Sequence, residues 1–395
     1  MLAHFTSMFS ERTAWNRTKN QLTRTLERLR KAGSPILDLT RSNPTECGFA
    51  EDETKIANAF AARGISRYSP DAKGLPTARA TIRDYYRDQH RVSMRIDDLL
   101  LTAGTSEAHS FLFRMLCNAG DEVLIPAPGY PLFDFLADLC DVKLVRFPLI
   151  YDHGWQIDFT ALTAAATERA RAMIVVHPNN PTGHYVSSRE RDRLAEFCSD
   201  RGMALIVDEV FLDFSLRETE PAKSFVDSSD VLTFTLSGLS KICGMPQMKL
   251  AWIAVSGPES QKSEALARLE IIADAYLSVG MPVQLAAPAL LQMRGGFHSQ
   301  LIERVRANLA DLDRQLAGQT TCARLECEAG WTAVLRVPAL QTDEEVAIAL
   351  LNDRGVYVHP GHFYDFARSG NMVVSLIVPR EDFVEGTRRL LAHFA

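Results

Sequence analysis

Ala172-Met173-Ile174-Val175-Val176, running into His177-Pro178-Asn179-Asn180-Pro181-Thr182-Gly183, is the stretch on which the fold turns. Five apolar residues in succession, without polar alternation, describe a strand covered on both faces, as in a parallel sheet packed between helices. The Pro- and Asn-rich segment stops the strand, and a helix follows with Leu194, Ala195 and Cys198 facing inward. The pattern recurs in both directions. Downstream, Ala204-Leu205-Ile206-Val207 is a second buried strand, ending in Asp208-Glu209. Val231-Leu232-Thr233-Phe234 is a third, leading to Ser237-Gly238-Leu239-Ser240-Lys241, and residues 250–255 are a fourth. Upstream, Val123-Leu124-Ile125 runs into Pro126-Ala127-Pro128-Gly129-Tyr130-Pro131, with another short strand at 142–145. Leu99-Leu100-Leu101-Thr102 runs into Ala103-Gly104-Thr105-Ser106 and a helix over 108–117. Strand–helix alternation from about residue 99 to 255 predicts an α/β fold, with a mostly parallel mixed sheet sandwiched by helices.

After Gly280-Met281-Pro282 the character changes. A helical stretch carries Leu301, Ile302, Val305 and Leu309, and strands are predicted at 332–337 and 372–378 around a loop at 355–366. At the other end, Leu22, Leu26 and Leu29 mark an amphipathic helix over 11–33 that Gly33 ends; a strand at 36–40 and the turn Arg41-Ser42-Asn43-Pro44 follow. The expected division is a large ligand-binding domain over 47–282 and a smaller α+β domain made of 1–46 with 283–395.

Composition narrows the function. The chain has 395 residues, 46% hydrophobic and 23% charged, as in a globular protein with a substantial core. A net charge of −6 gives no reason to expect nucleic acid or an anionic membrane as partner. No apolar run reaches spanning length, and Met1-Leu2-Ala3-His4-Phe5 lacks the basic start and apolar core of a signal peptide. Seven scattered cysteines, with Cys322 and Cys327 lacking a second pair or nearby histidines, read as reduced thiols rather than a zinc site, so a cytoplasmic location is expected.

The polar candidates stand just after strand ends, where open α/β sheets bind ligands. Lys241 follows one buried strand and precedes another. Desolvation there lowers an amine's pKa and frees it as a nucleophile, as a Schiff-base lysine requires, with Lys249 a turn or two beyond. Asp208 ends a buried strand and needs a partner, either the following turn or a protonated ring nitrogen. Thr105 and Ser106 open a helix after a glycine. That is a setting for phosphate on free backbone N–H groups, or for plain N-capping. Tyr130, on a proline-rich turn, could stack on a flat ring. Tyr68 alone reads as a packing residue, and Arg41 as a solvated loop residue or an anion receptor.

Taken together, Asn180-Pro181-Thr182-Gly183, Asp208-Glu209 and Ser-x-Ser-Lys ending at Lys241, in that order and spacing, resemble the class I/II aminotransferases. These are aspartate aminotransferase-like, fold type I enzymes that use pyridoxal 5′-phosphate, and the resemblance runs from the Asn43-Pro44 turn to the last strand. It implies that Lys241 holds the cofactor as a Schiff base and moves the proton between the substrate's α-carbon and the cofactor. Asp208 would pair with the pyridinium nitrogen, Asn180 would donate to the phenolic oxygen and Tyr130 would stack on the ring. Thr105, Ser106, Ser240, Ser237 and Lys249 would hold the phosphate. Tyr68 would reach the neighbouring subunit's phosphate, which implies a homodimer with its sites at the interface. The activity implied is ping-pong exchange of an amino group between an amino donor and a 2-oxo acid. The alternatives are a carbon–sulfur lyase or a decarboxylase with the same cofactor, and a regulatory protein that binds it without turnover.

Three departures from the family's pattern stand out. Phe211 takes the place of a common tyrosine donor, and Lys249 that of a phosphate-binding arginine. Val373 occupies the last strand where the family usually carries the arginine that clamps the substrate carboxylate. Arg41, beside Asn43, is one candidate to supply that contact. A substrate without an α-carboxylate is the other answer. His359 and His362, on a loop that borders the substrate in relatives, are further substrate-side candidates.

Overall fold

The computed structural model describes residues 8–50, 52–217, 222–277 and 279–395; the start Met1–Phe5 read above lies outside them. Its largest sheet has eight strands: β1 (Leu99–Thr102), β2 (Glu122–Ala127), β3 (Lys143–Tyr151), β4 (Trp155–Ile157), β5 (Ala170–Val176), β6 (Ala204–Asp208), β7 (Thr233–Gly238) and β8 (Ala251–Ser256). They lie in the order β1-β8-β7-β6-β5-β2-β3-β4. Strands β3, β2, β5, β6 and β7 are parallel, whereas β8 runs against both its neighbours and β4 against β3.

The unbroken apolar run of β5 has the predicted cause. Ala172, Ile174 and Val176 pack on one face with Phe111 and Leu112 of helix Thr105–Leu116 and Leu266 and Leu269 of helix Glu259–Tyr276. Met173 and Val175 pack on the other face with Leu162 of helix Phe159–Ala165 and Leu194 and Phe197 of helix Ser188–Asp200. The last of these helices opens with a capping box, Ser187 and Glu190 each satisfying the other's backbone N–H. The winding order reverses between the parallel neighbours β2 and β5: from β2 the chain goes outward to β3, and from β5 outward to β6 on the other side. At such a switch point the loops splay apart and leave a crevice beyond the strands' carboxyl ends.

The second sheet has four antiparallel strands, β9 (Ala323–Arg324), β10 (Thr332–Arg336), β11 (His359–Pro360) and β12 (Asn371–Ser375), ordered β9-β10-β12-β11. The N-terminal helix joins it: Leu22 and Leu26 share a core with Leu301, Val305, Leu335, Val374 and Phe383. Leu37–Asp38 pairs in parallel with Val356–Tyr357. That helix is shorter than its leucine pattern predicted, Gln21–Lys31 rather than 11–33, because the Asn20 side chain caps it by accepting from Thr23 N at 2.7 Å. Residues Glu11–Thr13 form a separate 3-10 turn. Among the described residues no helix is long and apolar enough to cross a membrane, and no group of metal-ligating side chains assembles.

Candidate active site

The carboxyl ends of β1, β2, β5, β6 and β7 open onto a cavity of about 390 Å3, roofed by the start of β10 and the loop after β11. Lys241 stands in it on the single turn Leu239–Ile242 that follows β7. Its Nζ lies 5.0 Å from the ring centre of Trp331 and 5.7 Å from that of Phe211. Burial pulls this amine's pKa below the usual lysine value, and the Asp208 charge pushes it part of the way back. Gly238 gives the turn its position. A Cβ there would come within 2.7 Å of Ala251 Cβ, so only glycine lets β7 lie against β8 at the point where Lys241 is launched.

Asp208 ends β6, buried at 7% exposure. Oδ1 accepts from Val210 N at 3.1 Å, and Oδ2 lies 3.3 Å from Nε2 of the buried His109. Sequence reading passed over His109. Its signal was its spacing from Ser106, since i and i+3 on a helix share a face and Ser106 was already a candidate. His109 in turn stands edge-on to Phe133, 4.9 Å between ring centres, which fixes its plane.

Helix Thr105–Leu116, which carries His109, begins at Gly104 with no side-chain cap. The N-capping reading of Thr105 and Ser106 is therefore set aside. Both line the cavity instead, at the helix's first turn, whose N–H groups have no partner within the helix. Lys249, exposed and in the left-handed region (φ +53), brings its Nζ to 3.5 Å from where a Cβ on Gly104 would stand. A cation, two hydroxyls and a helix N-terminus meet there, a combination suited to a phosphate dianion.

The loop after β5 carries Asn180 into the cavity with its Oδ1 unpartnered among the described residues. Asn179 ties this loop down, donating to Pro128 O at 3.1 Å and to Thr182 Oγ1 at 3.0 Å. The first of those bonds also fixes the turn that presents Tyr130, whose ring stands at the cavity's edge. Gly183 closes the turn at φ +70, where any Cβ would strike Ala329 O at 2.6 Å.

Lys241, Asp208, Asn180, Tyr130, Thr105, Ser106 and Ser240 thus share one cavity, and Lys249 flanks it. Other candidates do not reach it. Ser237 is buried within β7 opposite Trp252, its hydroxyl unpartnered. Arg41 turns to Asp382 and to Asp38 O; its neighbour Ser42 lines the cavity instead. Asn43 is occupied capping the Pro44–Glu46 turn. His362 is exposed outside, while His359 lines the wall beside Tyr364. Tyr68 is 75% exposed on a loop away from this chain's cavity. Trp331, Thr332 and Tyr364 are lining residues that sequence reading missed. The residues present fit pyridoxal 5′-phosphate: a buried carboxylate for the ring nitrogen, an amide whose oxygen is unpartnered among the described residues, a lysine of lowered pKa, and an anion cradle on the same cavity.

Comparison with known proteins agrees. The family model for aminotransferase class I and II matches residues 37–379. The glutamate-pyruvate aminotransferase AlaA of Escherichia coli K12 is 30% identical over 277 residues, 69% of this chain and 67% of that protein. AlaA of Haemophilus influenzae is 29% identical over 310 residues, 75% of this chain and 74% of that protein. The solved structure of an alanine aminotransferase from Pyrococcus furiosus superposes with a TM-score of 0.88 at 22% identity, covering 98% of this chain and 99% of that one. The chain therefore belongs to the class I and II aminotransferases, enzymes that work with pyridoxal 5′-phosphate.

Proposed function

We propose that this aminotransferase exchanges an amino group between an α-amino acid of uncharged side chain and a 2-oxo acid, with L-alanine and pyruvate as one half of the exchange. One observation carries the reading: an amine of lowered pKa, Lys241, and a buried carboxylate, Asp208, stand in one cavity whose lining side chains include no arginine. A cavity without arginine is poorly suited to a second carboxylate, and the first relatives named above take pyruvate as a substrate.

Bound in the cavity, pyridoxal 5′-phosphate supplies an aldehyde that takes up the amino group and a ring that holds the electrons left when the α-proton departs. Asp208 would keep the ring nitrogen protonated, and His109 and Val210 N hold both carboxylate oxygens in place to do so. Lys241 Nζ would take the substrate's α-proton as base and hold it for return as acid. Its lowered pKa leaves more of the neutral base available at neutral pH. Trp331, Phe211 and Tyr364 give the cavity aromatic walls that confine the substrate beside Lys241.

The assembly we propose is a homodimer in which Tyr68, exposed on its loop, serves the neighbour's phosphate end. All seven cysteines are unpaired, which supports a cytoplasmic setting. The test is absorbance of the purified protein mixed with single amino acids. The yellow cofactor band should disappear with L-alanine and return with pyruvate, and Lys241→Ala should abolish both changes. Release of ammonia or carbon dioxide in place of an oxo acid would turn the assignment to a lyase or a decarboxylase.

A further inference from the structure

An α-amino acid brings a carboxylate into a cavity where a charge needs a partner. The lining has two cationic or protonatable nitrogens, Lys241 Nζ and the His359 ring, and Lys241 is committed to the reaction. Arg41, the candidate from sequence, is already paired with Asp382. Register supplies the next step. His359 of β11 lies directly opposite Val373 of β12 in an antiparallel pair, and residues so placed project from the same face with Cβ atoms about 5 Å apart. A side chain at 359 therefore reaches the space that an arginine at 373 would fill. Val373 is buried against Tyr364, Leu325 and Val334. The Tyr364 hydroxyl lies 3.0 Å from His359 Nδ1, and Nε2 has no hydrogen-bond partner among the described residues.

We propose that His359, held by Tyr364, is the receptor for the substrate's α-carboxylate in this enzyme, taking over from the opposite strand a task for which Val373 has no polar atom. The proposal rests on the α-amino acid reading above and names the group that enforces it. An imidazole offers one N–H where a guanidinium offers a fork, so the carboxylate is held by a single directed bond. Burial, which holds the His359 pKa below its usual value, makes the arriving carboxylate the partner that favours protonation of the ring.

The experiment uses the cofactor-loaded enzyme with two probes of one skeleton, L-alanine and ethylamine, and acetate as a non-reacting carboxylate. In His359→Ala the KM for L-alanine should rise at least about tenfold and the acetate-induced change in the cofactor band should weaken by a similar factor, as loss of a charge-assisted hydrogen bond requires. The slow reaction with ethylamine should be unchanged. His359→Arg should recover L-alanine binding. If His359→Ala loads cofactor poorly, His359→Asn carries the same comparison, and Tyr364→Phe should show a smaller loss of the same sign. An unchanged KM for L-alanine, or equal losses for L-alanine and ethylamine, overturns the proposal. A wild-type enzyme whose band no amino acid alters would overturn the parent reading instead, a result visible before any variant is made.

Discussion

Single side chains decide how this cavity handles protons. Phe211 places a ring, edge-on to Trp331 at 4.8 Å, where relatives often have a hydroxyl. If Lys241 carries the cofactor as proposed, the cofactor's phenolic oxygen gains no donor from that position and is less stabilised as an anion, so the Lys241–cofactor linkage should hold its proton to higher pH. Phe211→Tyr should lower the linkage pKa by up to about one unit, the size of one neutral hydrogen bond. An absorbance titration reads this directly, and an identical pKa in the two proteins would count against the account. Glu209, next to Asp208, poses a different case. Burial raises its pKa to about 7, although Ser224 Oγ at 2.7 Å and Phe225 N at 2.6 Å both donate to it. A carboxyl raised in the folded state binds its proton more tightly there than in the unfolded chain. It stabilises at acid pH, and that stabilisation is lost as pH climbs from the unfolded value through about 7. Glu209→Gln keeps the acceptor for Phe225 and removes the titration. Between pH 5 and 8 the wild type should therefore lose stability relative to the variant, by roughly 3 kcal/mol at most. Parallel melting curves across that range would refute it.

At the scale of elements, the decisive joints are those between a strand end and the next helix. Gly238 is the tightest: its backbone is extended (φ 177), so the demand on it is purely steric, set by Ala251 Cβ, Ala251 Cα and Leu250 O within 3 Å of any added Cβ. Gly238→Ala should cost about 1–3 kcal/mol by overpacking. Because the next turn carries Lys241, cofactor uptake should fall more than stability does; equal losses in apo melting and cofactor binding would argue against a positioning role. Such joints were legible in the sequence because the apolar runs of β1, β2, β5, β6 and β7 each give way within a few residues to a Gly, Pro or acid. The antiparallel insertion of β8 between β7 and β1 was not, because periodicity reports how many faces are covered and not which strand lies alongside. The N-terminal helix was overlong for a related reason: leucine spacing marks a face, and the start depends on one cap, Asn20.

The molecule as a whole explains which site residues could be foreseen. Those at strand ends of the large sheet announce themselves, since an aspartate or lysine just past a buried strand requires a reason. Trp331, Thr332 and Tyr364 belong to the second sheet and its loops, far along the chain, and only the docking of the two sheets brings them in; His359, from the same region, was a candidate only through the family resemblance. That docking is visible in Thr332 Oγ1 donating to Pro181 O at 2.9 Å, Tyr185 N donating to Glu328 Oε2 at 2.9 Å, and the tight seat of Gly183 on Ala329. Tyr68 extends the logic beyond one chain. It is a large ring left 75% exposed, and its loop does not border the cavity of its own subunit. If it serves the neighbour, two defective chains should repair each other. A Tyr68→Ala chain retains Lys241, and a Lys241→Ala chain retains Tyr68. When they pair, the subunit with Lys241 receives Tyr68 from its partner, while the other subunit stays inactive. Random reassortment of equal amounts makes half the dimers hybrid, each with one whole site of two, so about a quarter of wild-type activity should reappear on mixing. Separate chains would show only their residual rates. Hybrids demonstrated by mass, yet no more active than the parents, would place Tyr68 outside the site.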